Sequence, residues 1–439
     1  MLSSARFVRS LVALVAVLIL SAVGARAQQE ARMGIVKGTA FKFSLEVQDF
    51  HYLETMRTPL EGGESCEELL RRDLQQSDFF EVRRELAFIP DPADSSNMPK
   101  PVEYLATGIV RKKWGEVVLE GELLDAASGK VMFRQEYSLG SPPDRRAVHA
   151  YADDIVRHVT GEAGVALSRI AFVGVIGKAK EVFLVDYDGF GLSQLTKLGS
   201  ICLSPRFSAD GERLAFTSFA QGEADLVTLA LSDGRMTPLS SRPGIDSAPA
   251  WHPDGSQVAA SLTFEGNAEI YVMDDHGKKA QRLTFSPAIE TAPCFSPDGS
   301  RIVFTSDRTG EPHLWVMDSD GANSQRLSYL GKWSDSADWS PRGDRIVFVA
   351  LVDDGFDIFT MAPDGSDRRR ATANDGSWEN PRWAPDGRHI VAAKRERGGQ
   401  RRLFVMTADG GGKRALTSFS GDQYNPAWSS SRKLREATR

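Results

Sequence analysis

The sequence predicts an N-terminal α+β domain followed by an all-β six-bladed propeller that is closed by the C-terminal strand. Three observations predict this fold: a repeat of about 44 residues, a turn motif that recurs with it, and an offset between the first and the last repeat. The chain of 439 residues is too long for one ordinary core and suits two or three domains. An aromatic residue anchors each repeat, with a spacing of 44 residues and of 45 at the last step: Phe207, Trp251, Phe295, Trp339, Trp383 and Trp428.

The turn motif follows the anchors directly. In Ser296-Pro297-Asp298-Gly299, serine, proline and glycine occupy the positions that a type I turn prefers, and proline holds its φ near about −65°. A second apolar strand begins at Ile302, a third covers 314–317, and a short fourth strand is marked by Leu327-Ser328. Four consecutive strands in each repeat predict one propeller blade.

The offset between the repeats predicts how the ring closes. The first unit begins at Ile170 with a second-strand pattern and lacks its own aromatic strand, whereas the last aromatic strand, 425–428, has no unit after it. We therefore expect the C-terminal strand to complete the first blade within a propeller that covers 168–439. Closure removes the unpaired edge that an open ring would expose.

The N-terminus predicts export. Residues 1–27 contain no acid, carry Arg6 and Arg9 before an apolar run, and end in Ala25-Arg26-Ala27, which is typical of a cleaved signal peptide. An uncleaved anchor is the alternative, but the apolar run is shorter than the roughly 18 residues that span a bilayer. Cleavage would change the net charge from −6 to −9, which disfavours nucleic acid as a partner. We expect 28–38 to form a flexible N-terminal segment and no segment to span the membrane directly.

Residues 39–165 lack the repeat and predict the small α+β domain. Phe43–Val47 alternates as a strand does, and Ser65 with Glu68 forms a capping box that opens a helix. A second helix begins near Arg145 and ends at Gly161. Further strands are predicted at 104–110, 117–124 and 131–137.

Two patterns typical of catalytic sites do not occur in the sequence. There is no Gly-x-Ser-x-Gly pentapeptide of the kind that serine hydrolases place in a nucleophile elbow. The seven histidines show no paired metal spacing. Cys66, Cys202 and Cys294 are odd in number and widely spaced, so we interpret them as core residues rather than a disulfide framework. An exported, disulfide-poor, mildly acidic protein fits the bacterial periplasm.

One constellation of polar residues recurs with the repeat. An acid with a small polar neighbour stands near the start of four aromatic strands, in loops that the blade topology places on one rim of the channel together with Asp307, Asp353 and Asp354. We expect this rim to bind a protein partner or a calcium ion, since function in repeat folds concentrates in the loops of one face. Ordinary solvated loop acids are the alternative. The candidate residues are Asp246, Ser247, Glu290, Thr291, Asp335, Ser336, Glu379 and Asn380.

The order of these parts resembles the TolB family of periplasmic propellers. The resemblance rests on the signal peptide, the small α+β domain, Gly161 and Gly164 before Arg169-Ile170-Ala171-Phe172, and six blades with turns of the Trp-Ser-Pro-Asp-Gly type. It covers essentially the whole mature chain. Two departures stand out: Ser44-Leu45-Glu46-Val47 where the family has a Pro-Ile-Ala-Val-like strand, and Arg342 within the turn of the fourth anchor.

The resemblance implies a non-enzymatic component of the Tol-Pal system without a required cofactor. Such a protein binds a Pal-like peptidoglycan-associated lipoprotein at a propeller face and a TolA-like inner-membrane protein through its N-terminal segment. It maintains outer-membrane integrity and supports constriction at cell division. The residues of the N-terminal segment that the resemblance assigns to the TolA-like partner are Gln28, Gln29, Glu30, Ile35 and Val36.

Two other functions are compatible with the sequence. A metal-dependent hydrolase or ligand-binding propeller would place several ligands deep in its channel, whereas the recurring acids are expected in rim loops. A lectin-like binder of peptidoglycan sugars would use aromatic side chains on the rim, such as Phe264 or Trp378.

Overall fold

A computed structural model describes residues 42–53, 59–84, 101–140, 142–352, 355–373, 375–395 and 399–430. Its contacts divide the chain between residues 162 and 163 into two compact units. The predicted signal peptide and the segment 28–38 lie outside the described residues. None of the helices in the described part is long and apolar enough to cross a membrane.

The N-terminal unit is one sheet with two helices. The strands are β1 (Phe43–Val47), β2 (His51–Tyr52), β3 (Phe80–Arg84), β4 (Tyr104–Lys113), β5 (Glu116–Asp125) and β6 (Val131–Ser138), and the helices are α1 (Cys66–Gln76) and α2 (Arg146–Thr160). The sheet order is β3-β1-β4-β5-β6, with β2 also paired to β4. Strands β1, β3 and β4 run parallel, whereas β4, β5 and β6 form an antiparallel meander.

Local signals set the helix ends of this unit as predicted. Ser65 accepts a hydrogen bond from the backbone of Glu68, whose side chain returns to the backbone of Ser65, so the capping box is confirmed. Helix α2 ends at Gly161, which adopts φ 75°. Asp73 of α1 and His149 of α2 are buried and 2.6 Å apart, which joins the two helices. The sequence patterns missed β2 and β3, which are short and have little alternation of their own.

The second unit contains six four-stranded antiparallel sheets, which confirms the six-bladed propeller. The first strands of blades 2 to 6, followed by that of blade 1, are Cys202–Phe207, Asp246–Trp251, Glu290–Phe295, Ser334–Trp339, Ser377–Trp383 and Gln423–Trp428. The second strands of blades 1 to 6 are Arg169–Ile176, Arg213–Ser218, Gln257–Leu262, Arg301–Ser306, Ile346–Val352 and His389–Arg395. The third strands are Ala179–Asp186, Asp225–Ala230, Glu269–Asp274, His313–Asp318, Gly355–Met361 and Arg401–Thr407. The fourth strands are Ser193–Gln194, Met236–Ser240, Gln281–Arg282, Gln325–Arg326, Arg369–Arg370 and Arg414–Ala415.

The C-terminal strand completes blade 1, as the offset of the repeats predicts. Trp428 pairs with Ile170 and Gln423 with Gly174 in the antiparallel register. The Trp428 indole donates to the Ser168 hydroxyl at 2.7 Å, and the backbone of Ser429 donates to Arg169. The ring therefore has no unpaired first blade.

Apolar side chains of the second and third strands pack between neighbouring blades. Val303 and Leu314 of blade 4, for example, share one cluster with Phe348 and Phe359 of blade 5. Beta-branched and aromatic residues are frequent in these strands because both faces of the blades are covered. This packing holds the first strands in a fixed ring.

Every first strand carries a β-bulge at the same position. The register shifts within each first strand, and the residue at the shift has a positive φ although none of the six is glycine. The bulged residues are Ser204, Ala248, Ala292, Ser336, Asn380 and Asn425. A bulge of this kind redirects the side chains that follow it.

Candidate functional site

The loops that lead into the first strands carry exposed apolar side chains. One such residue stands directly before the first strand in four consecutive blades, and each is exposed: Ile201 (37%), Ile245 (52%), Ile289 (54%) and Trp333 (39%). They are spaced 44 residues apart, so the blade repeat places them at equivalent points of one rim.

Backbone hydrogen bonds fix this position in each blade. The carbonyls of Ile201 and Ile245 accept from the residues that directly follow the second strands, at 2.9 and 3.1 Å. The carbonyl of Trp333 accepts from Leu351 near the end of its second strand, at 2.9 Å. The backbone N–H of Ile289 donates to the Asp307 carboxylate at 2.7 Å. The side chains thus stand at the end of each blade, beyond its core. The predicted rim residue Asp307 holds the loop, and Asp353 and Asp354 lie outside the described residues.

Aromatic residues extend the same surface. Phe285 and Tyr329, 44 residues apart, are 77% and 67% exposed. Arg282 lies over the ring of Phe285 and Arg326 over that of Tyr329, with centroid distances of 4.9 and 4.6 Å. We call this surface the apolar rim, which comprises Ile201, Ile245, Phe264, Phe285, Ile289, Tyr329 and Trp333. Exposed apolar side chains grouped on one face of a folded protein are a candidate surface for binding a partner.

Two of the predicted acids are buried instead of facing solvent. Asp246 accepts from the Ser240 hydroxyl at 2.5 Å and from the backbone of Arg242 at 3.1 Å. Glu290 accepts from the Ser306 hydroxyl at 3.0 Å and pairs with Arg308 at 2.9 Å. Burial raises the pKa of both carboxyls. The expectation that Asp246 and Glu290 lie in rim loops is therefore wrong: each is the first residue of a first strand.

The other predicted acids occupy a different register. Relative to the bulge, Asp335 and Glu379 stand one position later than Asp246 and Glu290 do, level with Ser247 and Thr291. Asp335 accepts from Thr305 at 2.7 Å, and Glu379 pairs with Arg401 at 3.0 Å. A shift of one residue moves a side chain to the other face of a strand. The four acids therefore do not form one ring.

The polar neighbours of these acids lie in the first strands. Ser247 and Thr291 are half-buried there, directly before the bulge. Ser336 and Asn380 are themselves bulged residues, and the Asn380 amide donates to the Ser336 hydroxyl at 3.2 Å. The structure thus brings Asn380 of blade 6 into contact with Ser336 of blade 5.

The remaining predicted site residues have different outcomes. Trp378 is fully buried and its indole donates to Asp375, so its proposed role on an exposed lectin-like rim is wrong. Phe264 is partly exposed and belongs to the apolar rim. No three His, Cys, Asp or Glu side chains within the described ranges converge to hold a metal ion, and calcium at the mouth stays a prediction. Gln28, Gln29, Glu30, Ile35 and Val36 lie outside the described residues.

The sequence carries a signal for the apolar rim that is separate from the recurring acids. Isoleucine at 201, 245 and 289 and tryptophan at 333 recur with the blade period, in loops where polar residues are the rule. A repeat position that is apolar yet outside every strand is the pattern that would have found this surface.

Comparison with known proteins supports one family. The model of the "TolB beta propeller domain" family matches residues 156–432. A Tol-Pal system protein TolB of Desulfosudis oleivorans is 32% identical over 218 residues, which cover 47% of this chain and 49% of the relative. A protein TolB homolog of Chlorobium chlorochromatii is 38% identical over 140 residues, which cover 32% of each chain. The chain thus spans at most about half the length of these curated relatives.

A solved structure extends the likeness in fold. The crystal structure of TolB from Acinetobacter baumannii has a TM-score of 0.76 and 23% sequence identity to this chain. The match covers 89% of this chain and 97% of the other. At this identity the likeness concerns the fold.

Proposed function

The chain belongs to the TolB β-propeller family, and from this membership we propose that it is a non-enzymatic, periplasmic interaction protein of a Tol-Pal system. Its apolar rim binds a Pal-like peptidoglycan-associated lipoprotein, and its N-terminal segment binds a TolA-like inner-membrane protein. Through these contacts it maintains outer-membrane integrity and supports constriction at division. The signal peptide 1–27 directs its export.

One observation carries this proposal. The exposed apolar residues before four consecutive first strands lie on one rim, with arginines stacked on the neighbouring aromatic rings. Aromatic and arginine side chains are the residues that dominate binding energy at protein interfaces. Because the backbone beneath them is hydrogen-bonded into the blades, little ordering is needed when a partner binds.

The hydrolase alternative finds less support in the channel. A metal hydrolase needs several ligands around its ion. At the end of the channel where the first strands finish, the charged side chains that line the cavity are Asp338, Arg206 and Arg382. One carboxylate beside two arginines is a poor setting for a cation.

The test measures binding of the mature chain to the two purified partner domains, Pal-like and TolA-like, from the same bacterium by titration calorimetry. The double variant Ile289→Ser, Trp333→Ser is expected to weaken Pal-like binding by roughly 30-fold or more, since it removes central apolar anchors. TolA-like binding should stay unchanged. Deletion of residues 28–36 is expected to weaken TolA-like binding and to leave Pal-like binding unchanged.

Trp114→Ser serves as the matched control, because Trp114 is an equally apolar, exposed side chain of the other unit. It should bind both partners as the wild type does. Wild-type Pal-like affinity in the double variant would contradict the assignment of the rim. Turnover of a substrate by the purified chain would contradict the non-enzymatic role.

A further inference from the structure

The channel holds a cavity at the end away from the apolar rim. Its volume is about 170 Å³, and five of the six aromatic anchors form part of its wall. The residue before the anchor in each first strand also lines it. These six residues are Arg206, Ala250, Cys294, Asp338, Arg382 and Ala427. The blade repeat therefore brings one residue from every blade to the same point on the axis.

The charges in this ring do not balance. Two arginines stand against one aspartate, and that aspartate already has other partners. One oxygen of Asp338 accepts from the backbone of Trp383 at 2.8 Å. The other lies 3.7 Å from the Cys294 sulfur and 3.8 Å from the Arg206 guanidinium. The cavity wall has a net charge of one positive unit.

Arg382 has hydrogen-bonding capacity left. It is 8% exposed, and its Nη1 donates to the carbonyls of Pro381 at 2.7 Å and Ser336 at 3.1 Å. Its Nε finds no acceptor among the described residues, and the same holds for the indole nitrogen of the adjacent Trp383. Arg382 also forms no ion pair with a described acid. A buried donor left without an acceptor is costly, and more so when it is charged.

The guanidinium nevertheless stays charged. Burial and the nearby Arg206 charge lower the pKa of Arg382 to about 10, which is still well above neutral pH. A buried cation of this kind is normally compensated by an anion.

We propose that this end of the channel binds a small organic anion through a single carboxylate, held by Arg382 and Arg206. The planar guanidinium fork matches the two oxygens of a carboxylate. A cavity of about 150 Å³ accommodates a molecule of the size of benzene, so the space suits an acid of about four to six heavy atoms. The net charge of the wall matches a monoanion, and the aromatic anchors favour an organic acid over inorganic phosphate.

The test is titration of the full mature chain with sodium acetate at constant ionic strength. We expect saturable binding that weakens roughly tenfold or more in Arg382→Gln and in Arg206→Gln. Arg402→Gln, which removes an exposed arginine from a third strand, is the matched control and should bind as the wild type does. Absence of saturable binding in the wild type, or unchanged affinity in both arginine variants, would overturn the proposal.

A variant that is expected to bind acetate more tightly distinguishes loss of the site from loss of the fold. Asp338→Asn removes the competing negative charge, so acetate affinity should rise, by roughly threefold or more. A misfolded variant cannot bind more tightly, and lower affinity in a variant with an unchanged circular dichroism spectrum would count against the site. N-acetylglycine distinguishes the source of the carboxylate: tighter binding than acetate indicates a peptide terminus, and weaker binding indicates a free small acid.

Discussion

The residue two positions before the bulge of each first strand is fully buried, whatever its chemistry. The six residues are Cys202, Asp246, Glu290, Ser334, Trp378 and Gln423. Directly before this position, four blades expose an isoleucine or a tryptophan. In blades 3 and 4, therefore, the acids Asp246 and Glu290 are buried while the preceding isoleucines, Ile245 and Ile289, are exposed. The two buried acids are accommodated by hydrogen bonds: Asp246 accepts from Ser240 and Arg242, and Glu290 accepts from Ser306.

Replacing Asp246 by asparagine should reveal its burial as a pH dependence. The folded pKa of Asp246 is raised above 3.8, so the folded protein binds this proton more tightly than the unfolded chain does. Its contribution to stability is complete at low pH and is lost as pH rises through the folded pKa. We expect the free energy of unfolding of the wild type, relative to Asp246→Asn, to fall as pH rises above 3.8. Urea unfolding at a series of pH values measures this difference.

Asp254 provides the matched control with the opposite sign. Hydrogen bonds from Ser256 lower the pKa of this exposed turn carboxylate to about 2. Its contribution is present above the unfolded pKa and is lost as pH falls towards 2. If the free energy of unfolding depends on pH in the same way in Asp246→Asn and in the wild type, burial does not raise the pKa of Asp246.

At the scale of the element, glycine in the turn between the third and fourth strands sets how closely neighbouring blades approach. In blade 3, Gly277 adopts φ 74°, and a Cβ at this residue would lie 1.4 Å from the carbonyl oxygen of Leu239 in blade 2. The equivalent Gly234 of blade 2 adopts φ 72°, but a Cβ there would meet no atom within 4 Å. Glycine is therefore required in blade 2 by the backbone conformation alone, and in blade 3 also by the close approach of the neighbouring blade.

Alanine substitution separates the two effects. Gly234→Ala is expected to cost about 1–2 kcal/mol of stability, which is the strain of a left-handed backbone with a Cβ. Gly277→Ala adds a collision with the backbone of the neighbouring blade. Overpacking of this kind should cost about 1–3 kcal/mol of stability beyond the loss in Gly234→Ala. Urea unfolding of both variants measures the difference. Equal losses would show that the turn, and not the contact between blades, determines the need for glycine.

At the scale of the whole propeller, closure depends on a strand that comes from the far end of the chain. Trp428 and Ala427 reach the core through pairing with Ile170 and Ala171. Without this strand, the second strand of blade 1 would present an open edge to solvent. The channel cavity would also lose the part of its wall that Ala427 and Trp428 form.

Truncation tests this closure. Removal of 423–439 should lower the free energy of unfolding of the propeller by more than about 4 kcal/mol, since it removes a complete strand with its buried side chains. Removal of 431–439 alone, which keeps the strand, is the control and should leave the transition close to that of the full chain. Thermal unfolding followed by tryptophan fluorescence measures both. An unchanged transition in the longer truncation would contradict closure by the C-terminal strand.

The sequence by itself determined the architecture. Turn chemistry and strand patterns are local, and because they recur every 44 residues, the anchors from Phe207 to Trp428 establish the number of blades and the phase that closes the ring. The capping box at Ser65 and the αL end at Gly161 were readable for the same reason.

Only the tertiary structure decided which side chains face solvent and which meet in the channel. A bulge in every first strand interrupts strict alternation, so the sequence alone cannot tell that Asp246 is buried or that Asp335 has a different register. Arg206, Asp338 and Arg382 belong to three different blades and meet only because the ring closes around one axis. Their proximity is a consequence of closure, and no local pattern encodes it.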